Sequence, residues 1–391
     1  MKNIQEYSEQ DLLSRKQTHA IRNRLILGSA QGPEIEIENS RYLNFCSNDY
    51  LGLANHPDIV TAFKQGADRY GVGSGASHMV CGHNAAHTEL ENRLADFVNR
   101  KKALLFSSGY MANLAMVNTF LNHKDAIFID RLNHASIVDA AILSRAKLKR
   151  YSHCDSHALR VALDQSKAEH KLVITDGVFS MDGDVAPLPD LLPVCRAANA
   201  WTGVDDAHGF GVLGASGAGV LEHFKLSEND VPLLMATLGK AMGCSGAFIA
   251  ADEQVIEMIL QSARSYIYTT ALPPALAMAG IKALSIMQSE TWRREKLFAL
   301  IRRFVNGAKQ LALPVSESCT PIQPVIIGSN NKALQTSRTL MQQGILVTAI
   351  RPPTVPRGTA RLRITLSAEH TDDQVDRLLE ALERCAVHAN K

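Results

Sequence analysis

Thr237-Leu238-Gly239-Lys240-Ala241-Met242-Gly243 places a lysine between two glycines, directly after an apolar run at 233–237 that we predict to be a buried strand. A solvated surface lysine needs no such setting. Small neighbours let a flat ligand approach the amine, and partial burial lowers the pKa of a lysine toward nucleophilic competence. The alternative is a lysine in a tight turn, and this stretch alone does not choose between the two.

The sequence around this stretch repeats one alternation over residues 46–285. A short apolar run is followed by a Gly, Ser or Asp turn and then by a helical pattern, which predicts an α/β domain with a mainly parallel sheet. Ligands bind at the loops that follow such strands. The predicted strands are 103–106, 126–129, 172–175, 202–204, 233–237 and 247–250.

The pattern changes near residue 287 and predicts a smaller C-terminal α+β domain. A charged helix at 290–311 is followed by a strand at 321–327, a helix around 334–343 and strands at 345–350 and 361–366. We expect helices packed on a small antiparallel sheet. The predicted organisation is an N-terminal segment, 1–45, that packs with the small domain, a large domain, 46–285, and the small domain, 286–391.

Composition restricts the partners and the compartment. Formal net charge is +2, from 41 basic and 39 acidic side chains, so no long-range field would gather nucleic acid or anionic membrane. The seven cysteines are scattered, and residues 1–30 lack the apolar core of a signal peptide. Nothing approaches the ~18 continuous apolar residues of a membrane span. We predict a cytoplasmic protein with reduced thiols.

A second motif, Val204-Asp205-Asp206-Ala207-His208-Gly209, follows the predicted strand at 202–204. It can place a carboxylate and an imidazole in one cleft. A carboxylate that faces a pyridine nitrogen keeps that ring protonated and makes it an electron sink. The alternatives are a structural turn or a metal site, and metal is disfavoured because no third ligand with suitable spacing is evident.

Two further motifs follow strands and open helices: Ser107-Ser108-Gly109-Tyr110-Met111-Ala112-Asn113 and Arg131-Leu132-Asn133-His134-Ala135-Ser136. A helix N-terminus offers free N–H groups that suit a phosphate, although many α/β proteins cap helices in this way. All four motifs would open at the same edge of the sheet. The run Gly71-Val72-Gly73-Ser74-Gly75 is a poor dinucleotide loop because it follows a helical pattern at 59–70.

At these residues the chain resembles the α-oxoamine synthases among the fold-type I pyridoxal-phosphate (PLP) enzymes. The resemblance runs from Arg22 through Ser47-Asn48-Asp49-Tyr50-Leu51-Gly52-Leu53, Ser74-Gly75-Ala76-Ser77-His78 and Asp176-Gly177-Val178-Phe179-Ser180-Met181-Asp182-Gly183, to the lysine motif and Arg351-Pro352-Pro353-Thr354-Val355-Pro356. It implies a fold-type I PLP-dependent transferase with pyridoxal 5′-phosphate in the large domain.

The resemblance also implies a role for each site residue. Lys240 would carry the cofactor as a Schiff base, Asp205 would pair with the pyridinium nitrogen, His208 would bond to the ring oxygen, and His134 would stack on the ring. The remaining implied contacts are Gly109, Tyr110, Thr237 and Ser180 to the cofactor, Thr270 to a neighbouring subunit's phosphate, Arg351 and Asn48 to the amino-acid carboxylate, and Arg22 and Thr354 to a thioester.

Within the family, Ala207 and the compact Gly243-Cys244-Ser245-Gly246 favour the branch that condenses L-alanine with a pimeloyl thioester in biotin biosynthesis. The acyl group would arrive on coenzyme A or on an acyl carrier protein, and the enzyme would be a homodimer with shared active sites. The alternatives are another family member, such as a glycine C-acetyltransferase, and a non-catalytic subunit that has lost the cofactor. A nicotinamide dehydrogenase is disfavoured by the misplaced glycine run.

Overall fold

A computed structural model describes residues 3–316 and 318–389, with side chains as far as residue 385. The described residues exclude 1, 2, 317, 390 and 391, which belong to the predicted N-terminal segment and small domain. The helices are α1 (Ile4–Gln17), α2 (Pro57–Tyr70), α3 (Ala85–Phe97), α4 (Gly109–Asn118), α5 (Ala135–Ser144), α6 (Ser156–Asp164), α7 (Leu188–Ala197), α8 (Val220–His223), α9 (Glu253–Ser262), α10 (Arg264–Ile267), α11 (Pro274–Ser289), α12 (Trp292–Gln310), α13 (Asn330–Gln342) and α14 (Asp372–Ala389), with a π-helical turn at His78–Gly82.

The strands form three sheets. They are β1 (Glu34–Ile37), β2 (Ser40–Asn44), β3 (Lys102–Phe106), β4 (Ala126–Asp130), β5 (Lys147–Tyr151), β6 (Lys171–Asp176), β7 (Trp201–Asp205), β8 (Leu233–Thr237), β9 (Ala247–Ala251), β10 (Ile322–Gly328), β11 (Ile345–Leu346), β12 (Thr348–Ile350) and β13 (Ala360–Thr365). None of the helices in the part of the chain that the structure describes has the length and apolarity that a membrane span requires.

The larger of two compact units comprises Asn48–Ser180 and Asp184–Glu295. Its sheet has seven strands in the order β3-β9-β8-β7-β6-β4-β5. Strands β4 to β8 pair in parallel, and β9 is antiparallel to both of its neighbours, so six of the seven strands run in one direction. This confirms the predicted α/β domain with a mainly parallel sheet.

Alternation along β4 shows how helices cover both faces of this sheet. Ile127 and Ile129 belong to a core cluster with side chains of α4 and α5, whereas Ala126 and Phe128 belong to a second cluster with side chains of α6 and α7. Successive side chains of a strand point to opposite faces. A strand buried on both faces therefore reads as a continuous apolar run, as the strand predictions assumed.

The smaller unit comprises Met1–Ser47, Met181–Gly183 and Lys296–Lys391, so that α12 begins in one unit and ends in the other. One of its sheets, β10-β13-β12, is antiparallel throughout, which confirms the predicted small sheet. In the other, β1 and β2 form a hairpin whose two turn residues, Glu38 and Asn39, both have positive φ, and β11 pairs in parallel with β2.

Two of the strand predictions need correction. The predicted strand 345–350 is two strands, β11 and β12, which flank Val347 and belong to different sheets. Strand β5 was not predicted, because its sequence, Lys147-Leu-Lys-Arg-Tyr151, is polar. The structure explains that composition, since β5 is an edge strand and edge strands carry charge.

Candidate active site

The N-terminus of α4 lies against the end of β8. Ser108 caps the helix, and a Cβ added at Gly109 would lie 2.9 Å from Cγ2 of Thr237. The first N–H groups of a helix have no partner within it and, with the helix dipole, favour an anion. The hydroxyl of Thr237 is buried and has no hydrogen-bond partner among the described residues. A phosphate at this point would supply the missing acceptor.

Asp205, the last residue of β7, is a buried carboxylate with a fixed orientation. Its Oδ1 accepts a hydrogen bond from the backbone N–H of Ala207 at 3.1 Å, and its Oδ2 accepts one from Nδ2 of Asn113 at 2.7 Å. Only 5% of Asp205 is exposed. Donors hold both oxygens, yet each oxygen keeps a lone pair for a further donor, such as a protonated ring nitrogen.

His134 caps the N-terminus of α5 and is exposed. Its Nδ1 lies 2.7 Å from the hydroxyl of Ser136, and its backbone N–H donates to Oδ1 of Asp176 at 3.2 Å. Burial lowers the pKa of His134, the charge of Asp205 raises it and the charge of Lys240 lowers it. The first of these effects dominates, which favours a neutral imidazole.

Lys240 is half-buried in the loop that follows β8. Its charge also lowers the pKa values of Asp176 and Asp206, although burial raises both overall. The lysine therefore lies within electrostatic reach of three other strand ends. The loop is fixed by glycine, because Gly243 has φ of 65° and a Cβ there would collide with the backbone at Leu53 and Ala54.

His208 is buried beside a tyrosine. The phenol of Tyr50 lies 2.7 Å from Nδ1 of His208 and donates to Oδ1 of Asn48 at 3.2 Å. The three side chains thus form one contiguous polar group in the larger unit. The contact fixes Nδ1 as the ring nitrogen of His208 that faces the tyrosine.

The remaining contacts predicted for the cofactor lie in the same unit. The phenol of Tyr110 donates to Asp139, which is the main reason that its pKa is raised. The carbonyl of Thr270 accepts a hydrogen bond from the hydroxyl of Ser107 at 3.3 Å, and the residue is exposed. Ser180 is half-buried in the loop after β6.

Three predicted substrate residues lie in the smaller unit, where Nη2 of Arg22 donates to the hydroxyl of Thr354 at 3.0 Å. Arg351 donates to the carbonyls of His19 and Ile21, and its buried Nε has no partner among the described residues. Burial, followed by the charges of Arg22 and Arg338, lowers the pKa of Arg351. Several cations close to one another would favour an anionic ligand.

The sequence analysis missed three polar residues that contact the predicted ones: Asn113, Ser136 and Tyr50. Each lies inside a motif that was quoted, and Asn113 interrupts an apolar helix four residues after Gly109, which places both on one face. A polar residue within an apolar helix was therefore the signal that could have identified Asn113. The contacts themselves join different elements and cannot be read from spacing.

Comparison with known proteins defines the class. The family model described as "Aminotransferase class I and II" matches residues 40–382. The chain belongs to this family. Among solved structures, it is similar to a serine palmitoyltransferase from S. paucimobilis with a bound PLP–myriocin aldimine, with a TM-score of 0.95, 27% identity and 100% of both chains covered.

More specific similarity is to proteins named 8-amino-7-oxononanoate synthase. The protein of that name from Pseudomonas syringae pv. tomato is 54% identical over 95% of this chain and 94% of its own length, and that from Methylococcus capsulatus is 56% identical over 94% and 95%. A crystal structure of the synthase from Francisella tularensis has a TM-score of 0.79 and 33% identity, and covers 90% of this chain and 99% of its own. The predicted family and fold class are confirmed.

Proposed function

We propose that this chain is a PLP-dependent 8-amino-7-oxononanoate synthase. It joins the α-carbon of L-alanine to the carbonyl carbon of a pimeloyl thioester, releases the thiol and loses the alanine carboxyl group as carbon dioxide. The observation that carries the proposal is that Asp205 and Lys240 both lie close enough to His134 for their charges to shift its pKa, in a chain that is 54% and 56% identical to two synthases of that name.

The residues at the sheet edge fit pyridoxal 5′-phosphate. When bound, this cofactor supplies a protonated pyridine ring that withdraws electrons from the α-carbon of an attached amino acid. The N–H groups of Gly109 and Tyr110 and the unpartnered hydroxyl of Thr237 would hold the phosphate. Ser180 lies in a neighbouring loop and would complete the contacts to the cofactor.

Three side chains would act on the ring and on the charge that develops during the reaction. The oriented carboxylate of Asp205 would accept a hydrogen bond from the protonated ring nitrogen and so keep the proton on that nitrogen. His208, held by Tyr50, would hydrogen-bond to the ring oxygen, and His134 would lie against the ring. Such preorganised groups stabilise charge without reorganisation at the moment of reaction.

Lys240 has two roles in this proposal. Its amine would attach the cofactor, and the same Nζ, once free, would remove the α-proton of L-alanine as general base. The carboxylate of alanine is bound by Arg351, assisted by Asn48, because a guanidinium offers two parallel donors. Arg22 and Thr354 contact the thioester.

The enzyme is proposed to act in the cytoplasm as a homodimer, with Thr270 reaching the cofactor phosphate of the neighbouring subunit. The acyl group arrives on coenzyme A or on an acyl carrier protein. Alanine and the pimeloyl thioester are the only substrates that the proposal requires.

Product identification tests the proposal. The purified, PLP-loaded chain is supplied with L-alanine and pimeloyl-coenzyme A, and in parallel with pimeloyl-carrier protein, and the product is identified by mass spectrometry. The expected product is 8-amino-7-oxononanoate, absent with Lys240→Ala. Faster turnover of glycine with acetyl-coenzyme A would instead identify a glycine C-acetyltransferase, and no turnover of any pair by PLP-loaded chain would favour a non-catalytic subunit.

A further inference from the structure

A buried amide and a buried hydroxyl connect two of the predicted site residues. Nδ2 of Asn113, on α4, donates to Oδ2 of Asp205 at 2.7 Å and to the hydroxyl of Ser136, on α5, at 2.8 Å. The same hydroxyl lies 2.7 Å from Nδ1 of His134. Asn113 and Ser136 are each 1% exposed.

The orientation of the amide follows from its neighbours. A carboxylate can only accept hydrogen bonds, so the NH2 group of Asn113 must face Asp205. Reversing the amide would place its oxygen against a carboxylate oxygen. In the orientation observed, Oδ1 of Asn113 is buried without a partner among the described residues. Such a group costs roughly 1–3 kcal/mol of stability.

Counting protons then fixes the tautomer of His134. The Ser136 hydroxyl accepts a hydrogen bond from Asn113, so its own proton is available to donate to Nδ1 of His134. The backbone N–H of Ser136 also points at Nδ1, at 3.3 Å. Because two donors face this nitrogen, it must be unprotonated, and the ring proton lies on Nε2.

We propose that Asn113 and Ser136 are positioning residues: Ser136 holds the proton of His134 on Nε2, and Asn113 holds the Asp205 carboxylate and directs the Ser136 proton toward Nδ1. This deepens the proposed function and rests on it. A neutral imidazole over the ring adds no second positive charge beside the protonated pyridine. A second positive charge there would weaken the binding of the proton to the ring nitrogen. One residue of α4 and one of α5 thus determine the charge of the His134 ring.

The test compares variants at the network with matched controls on the same helices. Ser136→Ala removes the donor to His134, and Ser144→Ala removes another buried serine of α5, whose hydroxyl donates only to a backbone carbonyl. Asn113→Ala removes the link to Asp205. Asn118→Ala removes an asparagine of α4 that donates to the carbonyls of Leu114 and Ala140 instead.

The decisive readout is the tautomer of His134, measured by nitrogen NMR on the full-length, PLP-loaded chain with labelled histidine. The chain has 14 histidines, so a His134→Gln variant identifies the signals. In the unmodified chain we expect an unprotonated Nδ1 and a protonated Nε2. Ser136→Ala loses the hydroxyl donor but keeps the backbone N–H that faces Nδ1, so it should raise the fraction of protonated Nδ1 without making it the major form. Ser136→Thr, which keeps a hydroxyl, should restore the original pattern.

The kinetic readouts separate the two residues. Ser136→Ala should lower kcat about tenfold, with the KM for alanine within about twofold, because the lost bond acts on the charge of the site. Asn113→Ala should leave Nδ1 of His134 mainly unprotonated but weaken PLP binding about tenfold, since the bond to Asp205 is charge-assisted. Both controls should stay within about twofold of the unmodified enzyme.

A protonated Nδ1 in the unmodified chain, or an unchanged tautomer in Ser136→Ala, overturns the proposal whichever substrates the enzyme uses. Equal losses in Ser136→Ala and Ser144→Ala would also overturn it, because they would indicate a packing effect. If Ser136→Ala fails to fold, the tautomer of the unmodified chain and the PLP affinity of Asn113→Ala still test the proposal. Failure of the proposed function alone would appear as a different product with the NMR pattern intact.

Discussion

The carboxylate of Asp206 accepts a hydrogen bond from the backbone N–H of Val220 at 2.7 Å. Gly209 and Gly219 leave no room for a Cβ beside this carboxylate, so the chain is closed around it. The adjacent Asp205 is instead oriented by Asn113. Two consecutive aspartates, which alternate in direction at the end of a strand, therefore have different surroundings. This difference indicates which of them is available to a ring nitrogen.

Asp205→Asn tests that assignment. The substitution keeps size and shape but removes the charge that would hold the ring proton, so the variant should fold and bind PLP through Lys240. Proton abstraction from alanine should fall at least ~100-fold, equivalent to roughly 2.7 kcal/mol of transition-state stabilisation. The measurement is exchange of the alanine α-proton in deuterated solvent. Asp206→Asn is the matched control and should exchange near normally, and the reverse pattern would reassign the ring contact to Asp206.

Lys240→Ala should abolish both the visible absorbance of lysine-bound PLP and turnover, because Nζ supplies the attachment and the general base. The exposed Lys167→Ala serves as the control and should retain both. Absorbance spectra of dialysed protein and product assays are the measurements. Condensation of alanine at the normal rate by Lys240→Ala would contradict the central assignment.

Apolar periodicity predicted the large sheet because its inner strands are buried on both faces. Residues 233–237, for example, were predicted as a strand and form β8. The same reasoning failed at β5, whose edge position allows polar side chains, and at Val347, where the chain leaves one sheet for another. The hydrophobic pattern of a sequence indicates which residues are buried. It does not indicate where a strand lies within a sheet, and both β5 and the break at Val347 depend on that position.

The site was predictable as four strand-end motifs, because parallel strands bring their carboxyl ends to one edge. The register also places the end of β6 beside the end of β7, since Asp176 and Asp205 are direct partners across these strands, although Asp176 lies in none of the four motifs. The contacts of Asn113 and Ser136 were not predictable in this way. They join α4, α5 and β7, and their geometry depends on how helices pack on the sheet.

Thr270 offers a test of the proposed shared active site. Mixed dimers can combine one Lys240→Ala chain with one Thr270→Ala chain, which leaves one working lysine. If Thr270 contacts the phosphate of the other subunit, that single site is complete and should match a mixed dimer of unmodified and Lys240→Ala chains. Turnover at limiting PLP is the measurement, since a lost phosphate bond should weaken PLP binding about tenfold. Activity as low as that of Thr270→Ala dimers would place the contact within one chain.

His153 provides a test that is independent of the reaction. Its Nδ1 lies 2.9 Å from Oδ1 of Asp130, at the end of β4, and its Nε2 lies 2.8 Å from Oδ2 of Asp184. Burial disfavours the charged ring, but hydrogen bonds to Asp130, Asp184 and Cys154 outweigh burial and raise the pKa of His153 to about 12. The imidazolium thus bridges two carboxylates that would otherwise repel each other.

His153→Gln should therefore destabilise the fold by about 3 kcal/mol near pH 6, because two carboxylates lose the cation between them. A raised pKa means that the contribution is fully present below the unfolded value, ~6.5, and declines as the pH rises toward the folded value. The stability difference between the unmodified chain and His153→Gln should then be smaller at pH 9 than at pH 6 by at least about 1 kcal/mol. Denaturant unfolding at both pH values measures it, with the exposed His157→Gln as the control. A difference that is constant or grows with pH would show that His153 is neutral in the folded protein.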